Sequence, residues 1–143
     1  MIQLPSKTIH VDMNDTLVGW DQAGCYSYLY KYAREVTYAM SKEYDLVCLS
    51  FCGAVQPGVR NLLLEDNAMF IEKYFPWFKR IESASGNKAL HPGVEFLIDD
   101  SPHYFTTGKH GGILFTSWPT TRIREGIVYA SNWLDIAKIM EII

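Results

Sequence analysis

The run Thr8-Ile9-His10-Val11-Asp12-Met13-Asn14-Asp15-Thr16-Leu17 sets a short β-prone stretch directly before an aspartate and a cluster of polar turn formers. Much later, Val94-Glu95-Phe96-Leu97-Ile98 runs into a second acidic stop, Asp99-Asp100. Buried strands of a parallel sheet that each end on carboxylate can bring those carboxylates together at one edge. There they could hold a divalent cation and present a nucleophile.

Between and beyond these stops the pattern alternates. Asp45-Leu46-Val47-Cys48-Leu49-Ser50-Phe51 is a near-continuous apolar run of strand length that stops at Gly53, the form of a strand covered on both faces. Cys25, Tyr28, Leu29, Tyr32, Ala33, Val36, Ala39 and Met40 recur at helical spacing and predict a long helix from about Asp21 to Tyr44. A second helical region follows Pro57-Gly58, restarts near Asp66-Asn67 with Asn67 as N-cap, and ends at Pro76. Phe78 to Ser83 and Ile113 to Thr116 offer further strands, and Gly111-Gly112 reads as the turn before the latter. Asn132 caps a final helix through Ile136 and Met140, with Asp135 at its third position.

Strands separated by helices predict an α/β fold: a single Rossmann-like domain over residues 1–143, with a mainly parallel sheet, helices on both faces and a small helical cap at about 18–44. A chain of 143 residues buries a core without staples. The formal charge of −3 comes without basic blocks, which argues against duplex nucleic acid or a polybasic membrane contact. Three cysteines, an odd number, and Pro5 and Lys7 where a secretory apolar core would sit predict a cytoplasmic protein with reduced thiols. No apolar run is long enough to span a bilayer.

Asp12-Met13-Asn14-Asp15-Thr16-Leu17, Ser50, Lys88 and Asp99-Asp100, in that order, resemble the four motifs of the haloacid dehalogenase-like phosphohydrolases. Within that superfamily, Glu72-Lys73-Tyr74-Phe75-Pro76, Gly86-Asn87-Lys88, Phe96 to Pro102 and Gly112 to Phe115 are similar to the 5'(3')-deoxyribonucleotidase group. A weaker likeness, through Asp15-Thr16-Leu17-Val18 and Asp99-Asp100-Ser101-Pro102, is to phosphatases of the RNA polymerase C-terminal repeat.

The resemblance implies a Mg²⁺-dependent phosphohydrolase acting on a small phosphate ester, with nucleoside monophosphates the first to try. It makes Asp12 the nucleophile and assigns the cation to Asp12, the Asn14 main-chain carbonyl, Asp99 and Asp100. Ser50, the backbone at Phe51 and Lys88 would hold the phosphoryl group. The chemistry needs these residue types: a carboxylate attacks phosphorus only when its repulsion from the phosphate is neutralised.

Asn14 departs from the pattern, because relatives carry there an aspartate that protonates the leaving oxygen and then activates water. An amide does neither, and such acid–base help is worth about 10²–10⁴-fold. A non-catalytic phosphate- or metal-binding protein, and a phosphoprotein phosphatase, are therefore the competing expectations.

Other side chains read more plainly. Trp20, Tyr26 or Tyr28 could line a substrate mouth, and Trp20, Phe51, Tyr104 and Trp118 could stack on a base, although plain core packing explains most aromatic residues. His10, His91, His103 and His110 are scattered without the helical spacing of a zinc motif, and His10 reads as a satisfied core residue. Cys48 reads as a buried thiol, whereas Cys52 could lie near phosphate.

Overall fold

The computed structural model describes residues 2–20, 27–118 and 124–142. Its centre is a six-stranded sheet in the order β5-β4-β1-β6-β7-β8, formed by β1 (Thr8–Val11), β4 (Asp45–Phe51), β5 (Arg80–Ala84), β6 (Phe96–Asp99), β7 (Gly111–Phe115) and β8 (Ile127–Ala130). Every neighbouring pair is parallel. β2 (Val18–Trp20) and β3 (Ser27–Leu29) form a separate antiparallel hairpin. The α/β, Rossmann-like expectation holds at this level.

The strand order places the site. From β1 the chain steps outward to β4 and β5, then jumps back to β6 on the other side of β1 and continues to β7 and β8. The carboxyl ends of β1 and β6 therefore flank the point where the winding reverses, where open α/β sheets form a crevice. Asp12 follows β1 and Asp99 ends β6.

The helices α1 (Ala33–Met40), α2 (Leu62–Tyr74) and α3 (Trp133–Ile139) all lie on one face of the sheet. Ala33, Val36 and Met40 of α1, Ile71 of α2, and Trp133, Ile136 and Ala137 of α3 pack with Ile9, Val11, Leu46, Cys48, Ile98 and Ile113 of the strands. The opposite face buries Leu49, Ala84, Leu97, Leu114 and Ile127 beneath Phe105. Among the described residues, that face is covered by the 3-10 turns Lys88–Leu90 and Pro102–Phe105 in place of helices. The expected two-faced helical cover is thus corrected: the segments after β5 and β6 are short and turn-rich, and right-handed crossovers put them on the face opposite α1 and α2.

The predicted long helix is also corrected. Among the described residues of 18–44 only Ala33–Met40 is α-helical; Val18–Trp20 and Ser27–Leu29 pair as antiparallel strands, and α1 packs on the sheet. Tyr32 adopts φ 67°, a left-handed conformation through which no α-helix continues. Tyr28 lies over Gly19, where a Cβ would collide with its ring, and Tyr30 packs edge-on to Phe115 with centroids 5.3 Å apart. These aromatics suit a strand as well as a helix face, which made the periodicity ambiguous. The proposed start at Asp21, with Cys25 and Tyr26, lies outside the described residues.

α2 is continuous, and its cap is Asn61, whose side chain accepts from the Leu64 N–H at 3.0 Å. Asn67 is therefore mid-helix, not a cap. Gly111 and Gly112 belong to β7, not to a turn; a Cβ on Gly112 would strike the Leu97 carbonyl and the Phe105 ring. β8 was not anticipated, since Ile127 to Ala130 is short and follows a polar stretch. The final helix and its Asn132 cap are as read: the Asn132 side chain accepts from the Asp135 N–H at 2.8 Å.

Candidate active site

Asp12 leaves β1 with its N–H bonded to the Ile98 carbonyl at 2.9 Å, which ties the start of the turn to β6. The turn then closes on itself: Leu17 and Val18 donate to the Met13 carbonyl at 2.9 and 3.0 Å. Asp15 takes φ 62° within it, a left-handed conformation that aspartate tolerates better than most residues. Thr16 is fully buried and its Oγ1 donates to Asp12 Oδ2 at 3.2 Å. From the far end of the fold, Trp133 Nε1 donates to the Thr16 carbonyl at 2.8 Å.

Lys88 is the centre of the charge arrangement. It is 3% exposed, and its Nζ lies 2.6 Å from Asp12 Oδ1 and 2.8 Å from Asp99 Oδ2. Burial alone would lower its pKa, but the charges of Asp99 and Asp12 and the two hydrogen bonds raise it, so the ammonium stays charged. Asp99 Oδ1 accepts from the Ser101 N–H at 3.0 Å. Burial first, then the charge of Asp12, raise the Asp99 carboxyl, while Lys88 pulls it back.

Asp100 completes an acidic triad. Carboxylate oxygens of Asp12, Asp99 and Asp100 all lie within 4.8 Å of one another. Burial, a hydrogen bond with Asp12 and the charges of Asp12 and Asp99 push Asp100 well above the usual carboxylate range. One ammonium does not offset three carboxylates, so the cluster carries excess negative charge.

Ser50, at the end of β4, is buried and its Oγ accepts from Asn67 Nδ2 at 3.1 Å. The same amide lies 3.4 Å from Cys52 Sγ. Sequence reading took Asn67 for a helix cap; its partner stands 17 positions away, and no local spacing signals that bond. Thr16 was likewise missed as a support for Asp12, although a residue four places on in a closed turn was within reach.

Asp12, Asn14, Ser50, Phe51, Lys88, Asp99 and Asp100 line one cleft of about 220 Å³, with Asp15, Ser101 and Tyr104. The residues expected to serve as nucleophile and as cation and phosphate ligands all line it. Tyr104 places its ring 5.5 Å from Lys88 Nζ. Phe51 is half exposed at the rim. The Asn14 side chain is turned to the hairpin, its Oδ1 accepting from Trp20 Nε1 at 3.3 Å. Trp118 is 80% exposed and does not line the cleft.

Cys48 is a buried free thiol whose pKa burial raises, so it is inert as a nucleophile. His10 departs from expectation: it is buried, yet among the described residues only Nε2 has a hydrogen-bond partner, Glu82 at 3.3 Å, and Nδ1 has none. No helix among the described residues is long and apolar enough to cross a membrane. A scan against protein-family models finds no match to this chain, and a search of curated proteins finds none either.

Proposed function

We propose that the cleft is the active site of a phosphohydrolase that passes the phosphoryl group of a small phosphate ester through Asp12. The observation that carries this reading is Lys88 Nζ held between Asp12 and Asp99 at 2.6 and 2.8 Å, at the point where the sheet reverses its winding. A buried ammonium at that point supplies positive charge to incoming phosphoryl oxygens. The order of motifs, similar to that of the haloacid dehalogenase-like enzymes, supports the same reading.

In this reaction an Asp12 carboxylate oxygen bonds to phosphorus as the ester P–O bond breaks. Water then hydrolyses the aspartyl phosphate. Lys88 and the Ser50 hydroxyl, oriented by Asn67, hold the phosphoryl oxygens. The donor set of Asp12, Asp99 and Asp100 is all oxygen and carries excess negative charge, which fits Mg²⁺. When bound, the cation would supply charge neutralisation between nucleophile and phosphate.

The departing alkoxide needs a proton that Asn14 does not carry, so the site suits leaving groups of low basicity such as aryl or acyl oxygens. Nucleoside monophosphates are the natural esters to try, given the nucleotidase resemblance. The free thiols of Cys48 and Cys52 support a reducing, cytoplasmic setting. One observation favours a second reading, a phosphate- or metal-binding protein without turnover: the Asn14 side chain is engaged by Trp20 Nε1.

The test is phosphate release from a panel of nucleoside monophosphates and one activated aryl phosphate, with Mg²⁺ or EDTA, for the native chain and Asp12→Asn. The expected result is Mg²⁺-dependent release that is fastest on the aryl ester and absent in the variant. Release that persists in Asp12→Asn overturns the nucleophile. Silence of the native chain on every substrate favours the binding reading.

A further inference from the structure

On the sheet face opposite α1, α2 and α3, three side chains converge. His10 of β1 shares its register with Leu97, a member of the core cluster on that face. Glu82 comes from β5, two strands away, and His91 directly follows the 3-10 turn Lys88–Leu90. Glu82 Oε1 lies 3.3 Å from His10 Nε2 and 2.9 Å from His91 Nε2. Ligand atoms of the three residues all lie within 4.8 Å of one another.

We propose that His10, Glu82 and His91 form a binding site for a borderline transition-metal cation such as Zn²⁺, with a further coordination position open to water. Two imidazole nitrogens and one carboxylate oxygen are a donor set that such cations accept, whereas Mg²⁺ prefers oxygen alone. The two clusters of the molecule are thus chemically sorted: oxygen donors in the cleft, mixed nitrogen and oxygen donors here.

Two further observations support the site. The second carboxylate oxygen of Glu82 accepts from Arg80 Nε at 2.6 Å, which holds the group from behind and presents Oε1 to the histidines. Ligating carboxylates are commonly fixed in this way. The His10 side chain is 2% exposed, and its one polar contact among the described residues is the long bond to Glu82. That bond repays little of the cost of burying the ring, and a cation at Nε2 would repay more. His91 and Glu82, at 18% and 25% side-chain exposure, leave an entry path and room for water.

The location gives the metal a structural consequence. The His91 N–H donates to the Lys88 carbonyl at 3.1 Å, so the ligand and the buried lysine belong to one turn. A cation here would tie that turn to β1 and β5. The site itself does not depend on the phosphohydrolase reading.

The experiment titrates Co²⁺ into the full chain in excess Mg²⁺, reading the visible bands of low-coordinate Co²⁺, with displacement by Zn²⁺ and thermal midpoints measured alongside. Expected are saturation at about one equivalent with nitrogen-and-oxygen-type bands in the native chain and in Asp12→Asn alike, and their loss in His91→Ala. The midpoint should rise with Zn²⁺ in the native chain and not in His91→Ala. Arg80→Ala, at an exposed position, should weaken binding about 10- to 100-fold and keeps the test open if His91→Ala fails to fold. The proposal is overturned by no band and no midpoint shift in the native chain. Binding unchanged in both His91→Ala and Arg80→Ala, or lost only in Asp12→Asn, overturns it equally, the cation then sitting elsewhere or in the cleft.

Discussion

Replacing Lys88 with methionine keeps most of the volume of the side-chain stem and removes the ammonium. The side chain is 3% exposed and contacts Asp12 and Asp99 at 2.6 and 2.8 Å, so the change leaves two buried carboxylates facing each other and Asp100. Removing one partner of a buried ion pair costs about 3–5 kcal/mol, because the remaining charge is uncompensated. With 143 residues and about 2.1 cal/mol/K per residue, the unfolding entropy near the midpoint is about 0.3 kcal/mol/K, so the loss corresponds to about 10–17 °C. The assay is thermal and urea unfolding followed by circular dichroism, in EDTA and in Mg²⁺.

Two signatures separate this mechanism from a packing defect. The carboxylates of the variant are raised in the folded state relative to the unfolded chain, so the folded state binds more protons and the deficit shrinks as pH falls below neutrality. Mg²⁺ should also narrow it, since a divalent cation bound by the folded triad stabilises by mass action. A loss below about 0.5 kcal/mol at pH 7 in EDTA, the range of an ordinary surface substitution, or a deficit indifferent to both pH and Mg²⁺, would refute the reasoning.

Asn14→Asp should raise turnover of nucleoside monophosphates by about 10²–10⁴-fold by restoring a proton donor, as measured by phosphate release; no change or a fall counts against the position assigned to Asn14. Asn67→Ala removes the donor to Ser50 Oγ and should lower kcat/KM about tenfold, the worth of one hydrogen bond, with little effect on the urea midpoint. The Asp100 carboxyl is pushed up to about 9 by burial, its hydrogen bond to Asp12 and the nearby charges. Its folded form therefore holds a proton that the unfolded chain releases near pH 4, and stability in EDTA should fall as pH rises from about 4 to about 9; Asp100→Asn should flatten that slope. Trp133→Phe leaves the buried Thr16 carbonyl without its donor and should cost about 1–3 kcal/mol in urea unfolding, with activity lowered as well.

The strands that carry the site were legible because their signal is local. An apolar run of fixed length ending on Asp12, Ser50 or Asp99 needs no partner to be recognised, and a parallel sheet aligns those ends. The pairing of Val18–Trp20 with Ser27–Leu29 was not legible, since Tyr28, Leu29 and Tyr32 satisfy a helical period, and the φ of Tyr32 that stops the helix leaves no mark in residue type. Gly112 was misread because its reason is tertiary, the close approach of the Leu97 carbonyl and the Phe105 ring. Asn67 and the convergence of His10 with His91 were invisible for the same cause. Their partners lie 17 or more positions away, and only the packed sheet makes them neighbours.

The bond from Trp133 to Thr16 joins residues 117 positions apart, and it bears on when the Asp12 turn takes its final form during synthesis. Synthesis makes Asp12 well before β6, which ties down the Asp12 N–H, and α3, which locks the Thr16 carbonyl. Contacts of such sequence separation form late and slowly. A ribosome-bound chain arrested before Trp133 would lack the tie to the Thr16 carbonyl, so the turn that carries Asp12 settles only after α3 has been made.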